Sequence, residues 1–254
     1  MLSKTKIKLI KSLDSKKNRN EAGLFVAEGN KLVAEIIESQ FQIQYIACTS
    51  QWFDQNKKYI YNRCKEIEMI SDSELNKISY LKTPQNVLCI AEIPHYTLNP
   101  ELLMGKLSLI LDNVQDPGNM GTILRIADWF GIEHIICNHT TADVYNPKVI
   151  QATMGAICRV KVYYEDLEKM MLSIKSLSMP IYGTSLAGEN IYKTSLKNEG
   201  FILMGNESKG ISSNLIPLLD KQLMVPFYPE NQKRSESLNV AIATAIICSE
   251  FRRR

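Results

Sequence analysis

The sequence predicts an α/β protein with a small N-terminal domain and a larger C-terminal domain built on a mostly parallel sheet. Short apolar runs of strand length alternate with segments whose apolar residues recur at helical spacing. Strands joined by crossover helices form parallel sheets covered on both faces. The segment Pro94–Pro100 has a proline at each end and is the best linker in the chain. We therefore expect a domain at 1–94, a linker at 95–105 and a second domain at 106–254.

Composition and charge place the chain among globular proteins with a basic surface. Its 254 residues are 45% hydrophobic, which is enough for a sizeable core, and its net charge is +3. Lysines and arginines are concentrated near the start of the chain and in its last three residues. This clustering favours a polyanionic partner. A solvated helix face followed by a basic tail explains the same residues equally well.

The cysteines and histidines do not indicate a metal site. The six cysteines are scattered without a Cys-x-x-Cys pair, and the three histidines are not spaced to bind a metal with them. Free thiols packed in apolar runs suit a reducing cytosol. The chain has neither the apolar core of a signal peptide nor a run approaching the roughly 20 apolar residues of a membrane span. We expect a cytoplasmic protein without a membrane partner.

The N-terminal domain is predicted to contain four helices and four strands. The polar stretch Lys16–Gly23 indicates a turn. In chain order the elements are a helix at Leu2–Leu13, a strand at Leu24–Gly29, a helix at Asn30–Ser39, a strand at Ile43–Cys48, a helix at Ser50–Lys65, a strand at Glu68–Ile70, a helix at Ser71–Ile78 and a strand at Val87–Glu92.

The stretch Leu107–Cys137 is a strand–loop–helix–strand unit around which the second domain is organised. Its first strand, Leu107–Leu111, is almost wholly apolar, Asn113–Gly121 is rich in turn residues, and Asn119 is a good helix N-cap. Arg125 leaves the apolar stripe of the following helix, so the core does not require it. That stripe consists of Met120, Ile123, Leu124, Ala127 and Phe130.

The rest of the second domain also alternates between strands and helices, and it ends in an apolar helix. Ser235 or Ser237 is expected to cap the last helix. Asn239 then lies one turn inside a helix that is apolar almost all round. An unsatisfied buried amide costs roughly 1–3 kcal/mol, so we expect Asn239 to bind a partner, either in a core network or in a site. The elements are a strand at Ile132–Cys137, a helix at Asn146–Ala152, a strand within Met154–Val162, a helix at Glu165–Leu177, strands at Pro180–Ser185, Phe201–Met204 and Leu223–Pro226, and a helix at Ser237–Ile247.

The loop of the central unit indicates the kind of site. It is not closed by Gly-Lys-Ser/Thr, which excludes a P-loop, and it lacks the three-glycine spacing of dinucleotide-binding folds. Three segments, taken in order, instead resemble the three motifs of the SpoU family of RNA ribose 2′-O-methyltransferases. They are Asp112–Gly131, Gly205–Ser212, and Pro226 followed by Ser237–Ala241.

This resemblance implies a trefoil-knotted SPOUT fold for the second domain, S-adenosylmethionine as cofactor, and no metal. A knot is a rare exception to the rules of chain topology, and nothing in the periodicity indicates it. Because arginine hardly deprotonates, Arg125 is expected to stabilise the developing alkoxide rather than act as a base. The implied catalytic residues are Arg125, Asn113, Glu207 and Asn239. The implied cofactor-binding residues are Thr184, Leu186, Gly205, Asn206, Val225, Pro226 and Leu238.

The first domain is similar to the L30e-like RNA-binding domain that many SpoU proteins carry. The likeness rests on Phe25–Gly29 and Pro84–Leu88, and an unrelated small α/β module is the alternative. Basic residues of this domain and one from the second would bind RNA phosphates. These predicted RNA contacts are Lys16, Lys17, Arg19 and Arg159.

The predicted function is therefore S-adenosylmethionine-dependent ribose 2′-O-methylation of RNA. A separate N-terminal domain favours ribosomal RNA, and the same chemistry on tRNA is the nearest alternative. A non-catalytic RNA-binding ribosome-assembly factor of the same fold is the alternative from another class. The resemblance also implies a homodimer joined through the C-terminal domain, and we expect no DNA partner.

Overall fold

A computed structural model describes residues 2–228 and 237–253 of the chain. The chain forms two compact units. The first comprises Met1–His95 together with Asp143–Cys158, and the second comprises Tyr96–Ala142 together with Arg159–Arg254. Within the described ranges, every helix is too short or too polar to cross a membrane.

The first unit is a four-stranded mixed sheet with helices. The strand order is β1-β4-β2-β3, in which β4 runs antiparallel to both of its neighbours and β2 runs parallel to β3. Numbered along the chain, its elements are α1 Lys4–Ser12, α2 Lys16–Ala22, β1 Leu24–Glu28, α3 Asn30–Glu38, β2 Ile43–Cys48, α4 Ser50–Ile60, β3 Cys64–Met69, α5 Asp72–Ile78, β4 Val87–Glu92 and α7 Pro147–Thr153.

Two predictions for this unit are wrong. The predicted turn Lys16–Gly23 is mostly helix α2, which ends where Gly23 adopts the left-handed conformation at φ 65°. The predicted helix Ser50–Lys65 stops at Ile60, and β3 begins at Cys64. Arg63 accounts for the early stop, because its guanidinium donates hydrogen bonds to backbone carbonyls of residues 37–41 and fixes the chain between α4 and β3.

The second unit has a six-stranded sheet, and all five of its strand pairs are parallel. The order β10-β8-β9-β5-β6-β7 confirms the predicted parallel sheet. Its elements are β5 Leu107–Leu111, α6 Pro117–Trp129, β6 His134–Cys137, β7 Lys161–Tyr164, α8 Leu167–Ser176, β8 Ile181–Asn190, β9 Gly200–Met204, β10 Lys221–Met224 and α9 Val240–Arg253.

The parallel sheet brings distant parts of the sequence to one edge. The central strands β5 and β9 are buried along their whole length and anchor the core. Asp112 follows β5, Asn138 follows β6, Gly205 follows β9 and Val225 follows β10. Ligands of open α/β sheets bind outside the carboxyl ends of the strands, so this edge is where a site is expected.

One segment predicted within 106–254 contacts the first unit instead. Helix α7 packs against β1, and the ring of Tyr145 lies 5.1 Å from that of Phe25. Val149 and Ile150 of α7 are buried. The first unit is therefore discontinuous in sequence, and part of its core is contributed by Asp143–Cys158.

Candidate active site

The site begins at the N-terminus of α6. The carboxylate of Asp116 accepts a hydrogen bond from the backbone nitrogen of Asn119 at 2.7 Å, and Pro117 occupies the first helical position. The N-cap is therefore Asp116, and the prediction of Asn119 as the cap is wrong. As a result, the side chain of Asn119 is available for other contacts.

Asn119 connects two of the predicted catalytic residues. Its amide nitrogen donates to Glu207 at 2.9 Å, and its amide oxygen accepts from the amide nitrogen of Asn239 at 2.9 Å. The other carboxylate oxygen of Glu207 accepts from Asn206 at 3.3 Å. Asn119 was not predicted as a site residue, although its position within the motif Asp112–Gly131 could have indicated it.

Asn239 has a different position from the one predicted. Its side-chain oxygen accepts from the backbone nitrogens of Ala241 at 3.0 Å and Ile242 at 3.2 Å. Asn239 is therefore the N-terminal cap of α9 and does not lie one turn inside that helix. Ser237 does not cap the helix, and Ser235 lies outside the described residues. The side chain of Asn239 therefore has the hydrogen-bond partners that were expected, namely the first backbone nitrogens of α9 and the side chain of Asn119.

Asn113 is held on the other side of the same network. It adopts a left-handed backbone at φ 58°, which asparagine tolerates better than most residues. Its carbonyl accepts from the amide of Asn206 at 2.8 Å, and its backbone nitrogen donates to Asn138 at 3.1 Å. The hydroxyl of Thr140 donates to its side-chain oxygen. Asn206 thus bridges Asn113 and Glu207.

Asp112 is a buried carboxylate that joins three loops at the edge of the sheet. It is 1% exposed and accepts from the side chains of Asn113 at 2.7 Å and Asn138 at 2.9 Å. Its second oxygen accepts from the backbone nitrogen of Ser212 at 2.7 Å. All three donors are neutral amide groups, and their hydrogen bonds satisfy both buried oxygens of Asp112.

Asp112→Asn should destabilise the fold by about 1–3 kcal/mol, because an amide turns one acceptor into a donor that faces another donor. Binding of S-adenosylmethionine, the cofactor that the family resemblance implies, should weaken in parallel, since Ser212 directly follows the loop Gly205–Ile211, which lines a cavity. Denaturant unfolding and calorimetry check both effects. Asp54→Asn on α4, whose carboxylate is 71% exposed, is the matched control and should change stability by less than about 0.5 kcal/mol. Equal behaviour of the two variants would contradict this role of Asp112.

A cavity of about 740 Å³ lies beside the network, between strand ends and α9. This volume is in the range of small-molecule sites, roughly 300–1,000 Å³. Apolar residues such as Leu223 and Ile247 line it together with polar residues such as Ser185 and Gln222, which suits a ligand with apolar and polar parts. Of the seven predicted cofactor-binding residues, Pro226 does not line the cavity. The six that do are Thr184, Leu186, Gly205, Asn206, Val225 and Leu238.

Gly205 is required by close backbone packing. A Cβ atom there would lie 2.4 Å from the backbone carbon of Gly210, inside any tolerable contact. The backbones of Asn206 and Gly210 exchange two hydrogen bonds of 2.9 Å, which close the loop tightly. Only glycine at 205 allows this approach.

A second cavity, of about 890 Å³, lies on the other side of the same loop. Residues Asn206–Ile211 line both cavities and form the wall between them. The second cavity is lined mainly by polar residues, including Asn113, Asn119 and Glu207. The geometry therefore places one partly apolar cavity and one polar cavity on either side of the Glu207 carboxylate.

Arg125 is not brought into this network. It is exposed on α6 and lines neither cavity. In the part of the chain that the structure describes, its guanidinium has no hydrogen-bond or ion-pair partner. Three of the four predicted catalytic residues are thus linked, and the fourth stands apart within a single copy of the chain.

The predicted RNA contacts differ in exposure. Lys16 and Lys17 are exposed on α2, and Arg159 is half-exposed, with its guanidinium bound to both oxygens of Asp128 at 2.8 and 2.9 Å. Arg19 is only 1% exposed, and it donates to the carbonyls of residues 13 and 14 and to the carboxylate of Asp143. The structure therefore contradicts the predicted role of Arg19 as an RNA contact.

The thiols have no chemical role in this site. All six cysteines are free, and burial raises the pKa of the Cys248 thiol on α9 to about 12, so this thiol stays protonated at neutral pH. Among the residues described, no group of three or more histidine, cysteine or acidic side chains is arranged to hold a metal ion.

Comparison with known proteins identifies the family. Residues 106–249 match the model of the SpoU rRNA Methylase family, and residues 4–89 match that of the MRM3-like substrate binding domain. The chain is 29% identical over 248 residues to the 23S rRNA (guanosine(2553)-2′-O)-methyltransferase RlmP of Bacillus subtilis, which covers 97% of this chain and 96% of that protein.

Solved structures agree with this match along the whole chain. A TrmH-family protein from Porphyromonas gingivalis is 35% identical with a TM-score of 0.89, covering 100% of this chain and 99% of that one. An AdoMet-bound rRNA methyltransferase from Sinorhizobium meliloti is 29% identical with a TM-score of 0.86, covering 100% and 97%. Because the family model spans more than half of its length, the chain belongs to the SpoU rRNA Methylase family.

Proposed function

We propose that this chain transfers a methyl group from S-adenosylmethionine to a ribose 2′-hydroxyl of ribosomal RNA. The observation that carries this proposal is the Asn239–Asn119–Glu207 chain of hydrogen bonds beside a cavity of cofactor size. The names of similar proteins support it, since RlmP is a 23S rRNA 2′-O-methyltransferase and the Sinorhizobium meliloti relative binds AdoMet.

The residues of the 740 Å³ cavity would hold the cofactor. Leu186, Val225 and Leu238 would pack against its adenine ring, and backbone groups around Gly205 would bind its polar edges. S-adenosylmethionine, when bound, supplies an electrophilic methyl group.

The polar network would position the acceptor ribose. Glu207 is held by the amides of Asn119 and Asn206, so its carboxylate has a fixed direction at the wall between the two cavities. Such preorganised groups account for much of the acceleration in reactions that depend on alignment. The positive charge of Arg125 would then stabilise the oxygen as its proton leaves.

For Arg125 to reach a ribose in this site, we propose that a second copy of the chain contributes it. Leu238 and Ile242, at the start of α9, are 48% and 55% exposed and would form part of a homodimer interface through the C-terminal domain. Phe251, near the end of α9, is buried within its own chain, so the exposed apolar part is confined to the start of the helix.

Ile242→Glu should convert a dimer into a monomer and reduce methyl transfer, because a carboxylate would be buried at an apolar interface. Light scattering at micromolar concentration, followed by a methylation assay, checks this. Leu172→Glu on α8, where the leucine is 52% exposed, is the control and should remain dimeric. A wild-type chain that is monomeric in this experiment would contradict the proposed dimer.

The two domains would divide the work. Residues 1–94 would bind the substrate through exposed cations such as Lys16 and Lys17, and residues 106–254 would carry the chemistry. A separate substrate-binding domain favours ribosomal RNA over tRNA, and we expect no DNA substrate. Methylation of both RNAs by the purified chain should show a clear preference for ribosomal RNA.

Calorimetry separates the proposed enzyme from a non-catalytic assembly factor. The full chain should bind S-adenosylmethionine with one site per chain, and Val225→Glu should abolish the heat signal by placing a charge in the cavity, away from the residues proposed for the dimer. Lys169→Ala on α8, which is exposed and distant in sequence from the lining, should bind normally. RNA binding by a chain that shows no heat with the cofactor would favour the assembly factor.

A further inference from the structure

An exposed tryptophan lies one helical turn from Arg125. The chain has two tryptophans: Trp52 is 4% exposed, whereas Trp129 is 85% exposed at the last position of α6. Residues four apart on a helix project from the same face, about 5–6 Å apart at Cβ. Trp129 therefore shares a face with Arg125, and the core does not account for its large apolar ring.

Three arginines lie one turn from Trp129 or bind the residues next to it in sequence. Arg125 precedes it by one turn, and Arg159 is bound to Asp128, the residue immediately before it. Arg252 of α9 donates to the backbone carbonyls of residues 130 and 131, directly after it, at 2.8 and 3.1 Å. With one carboxylate and three guanidinium groups, the segment that carries the exposed Trp129 has a net positive charge.

We propose that Trp129 is a stacking platform for an unpaired RNA base next to the methylated nucleotide. Aromatic rings stack on bases of any identity, and nearby cations bind the adjoining phosphates. Arg125 and Arg252 would bind these phosphates, and Arg159 would keep Asp128 from repelling them. This inference rests on the proposed function, because it places the RNA strand along the α6 face that carries Arg125.

The alternative partner for the exposed Trp129 ring is a second copy of the chain. The charges favour RNA, since a two-fold contact centred on Trp129 would bring arginines of both copies together. An RNA strand would instead neutralise them. The apolar residues proposed for the dimer, Leu238 and Ile242, lie at the opposite end of α9 from Arg252.

Fluorescence tests the platform directly on the full chain. In a Trp52→Phe variant, Trp129 is the sole tryptophan, and a single-stranded RNA oligonucleotide of mixed sequence should quench its emission as the RNA binds. Trp129→Ala should weaken RNA binding about 10-fold, the order expected for one stacked base. Trp129→Phe should bind nearly as well as the wild type, because it retains a ring.

The salt dependence of RNA affinity distinguishes loss of a stacking ring from loss of a phosphate contact, and a merely unfolded variant would not show this difference. Trp129→Ala should keep the wild-type slope of affinity against salt, whereas Arg252→Ala should reduce the slope by about one unit. Leu172→Ala, on α8, is the exposed apolar control and should leave RNA affinity unchanged. Affinity for S-adenosylmethionine should be the same in all of these variants.

Unquenched fluorescence together with unchanged RNA affinity of Trp129→Ala would overturn the inference. It would also be overturned if Trp129→Ala turned a dimer into a monomer and lost RNA affinity only through that change, since the second copy would then be the occupant. The binding experiment needs no methyl transfer. Failure of the proposed function would appear separately, as a wild-type chain that binds RNA but neither binds the cofactor nor methylates.

Discussion

Arg125→Ala should lower the single-turnover rate of methyl transfer on the order of 10²–10³-fold, as for the loss of a single transition-state donor. Its fold should be intact, because Arg125 is exposed and has no partner in the described part of its own chain. Affinity for S-adenosylmethionine should change by less than about 1 kcal/mol, since Arg125 does not line the cofactor cavity.

The measurement is single-turnover methylation at saturating cofactor, with a thermal melt of each variant. Arg125→Lys should recover only part of the rate, because a point charge lacks the planar fork that can hold a phosphate and the 2′-oxygen together. Lys169→Ala removes one exposed positive charge on α8 and should be fully active. Near-normal turnover of Arg125→Ala, or failure of that variant to fold, would remove Arg125 from the proposed role.

Arg19→Ala should destabilise the protein by about 3–5 kcal/mol. The change leaves the carboxylate of Asp143, which is mostly buried, without its cation, and it deprives the carbonyls of Leu13 and Asp14 of their donor. The loss should be seen as a lower denaturant midpoint. Activity should fall with the folded fraction and not through weaker RNA binding by folded molecules.

Two further variants make this prediction specific. Lys17→Ala removes a cation that is 80% exposed on the same helix, so it should change stability by less than about 0.5 kcal/mol. Asp143→Asn combined with Arg19→Ala should cost less than the sum of the single changes, because the two side chains form one pair. Equal stability of the Arg19→Ala and Lys17→Ala variants would show that the buried pair has no structural role.

The second domain's sheet could be predicted because its signal is local. Apolar runs such as Leu107–Leu111 and Phe201–Met204 have strand length, and parallel strands buried on both faces need little alternation. Strand β8 extends to Asn190, past the predicted end at Ser185, because it pairs with β10 at Leu223 and Met224. That pairing depends on residues more than 30 positions away.

Elements held by distant contacts escaped prediction. Helix α2 is polar and has no apolar stripe, and it is anchored by Arg19, whose partner Asp143 lies 124 positions along the chain. The same contact accounts for the placement of Asp143–Cys158 in the first unit. Neither residue's type nor its local spacing distinguishes a buried ion pair from a surface charge.

The candidate site was predicted only in part, because some of its contacts also join residues that are far apart in sequence. Family resemblance marked Asn113, Glu207 and Asn239, which lie in motifs that can be recognised in sequence. Asn119 was assigned only a capping role, because its contacts to Glu207 and Asn239 span 88 and 120 positions. A network assembled from three segments at one edge of a sheet has no signature in any one of them.

The most direct test of the proposed function is the chemical position of the transferred methyl group. The purified chain would be incubated with methyl-labelled S-adenosylmethionine and ribosomal RNA from cells that lack this gene, and the RNA would then be hydrolysed in alkali. A ribose 2′-O-methyl group protects the adjacent phosphodiester bond, so we expect the label in an alkali-resistant dinucleotide from a single site. Label released on single nucleotides with a methylated base, or no transfer by a chain that binds the cofactor, would contradict the proposed function.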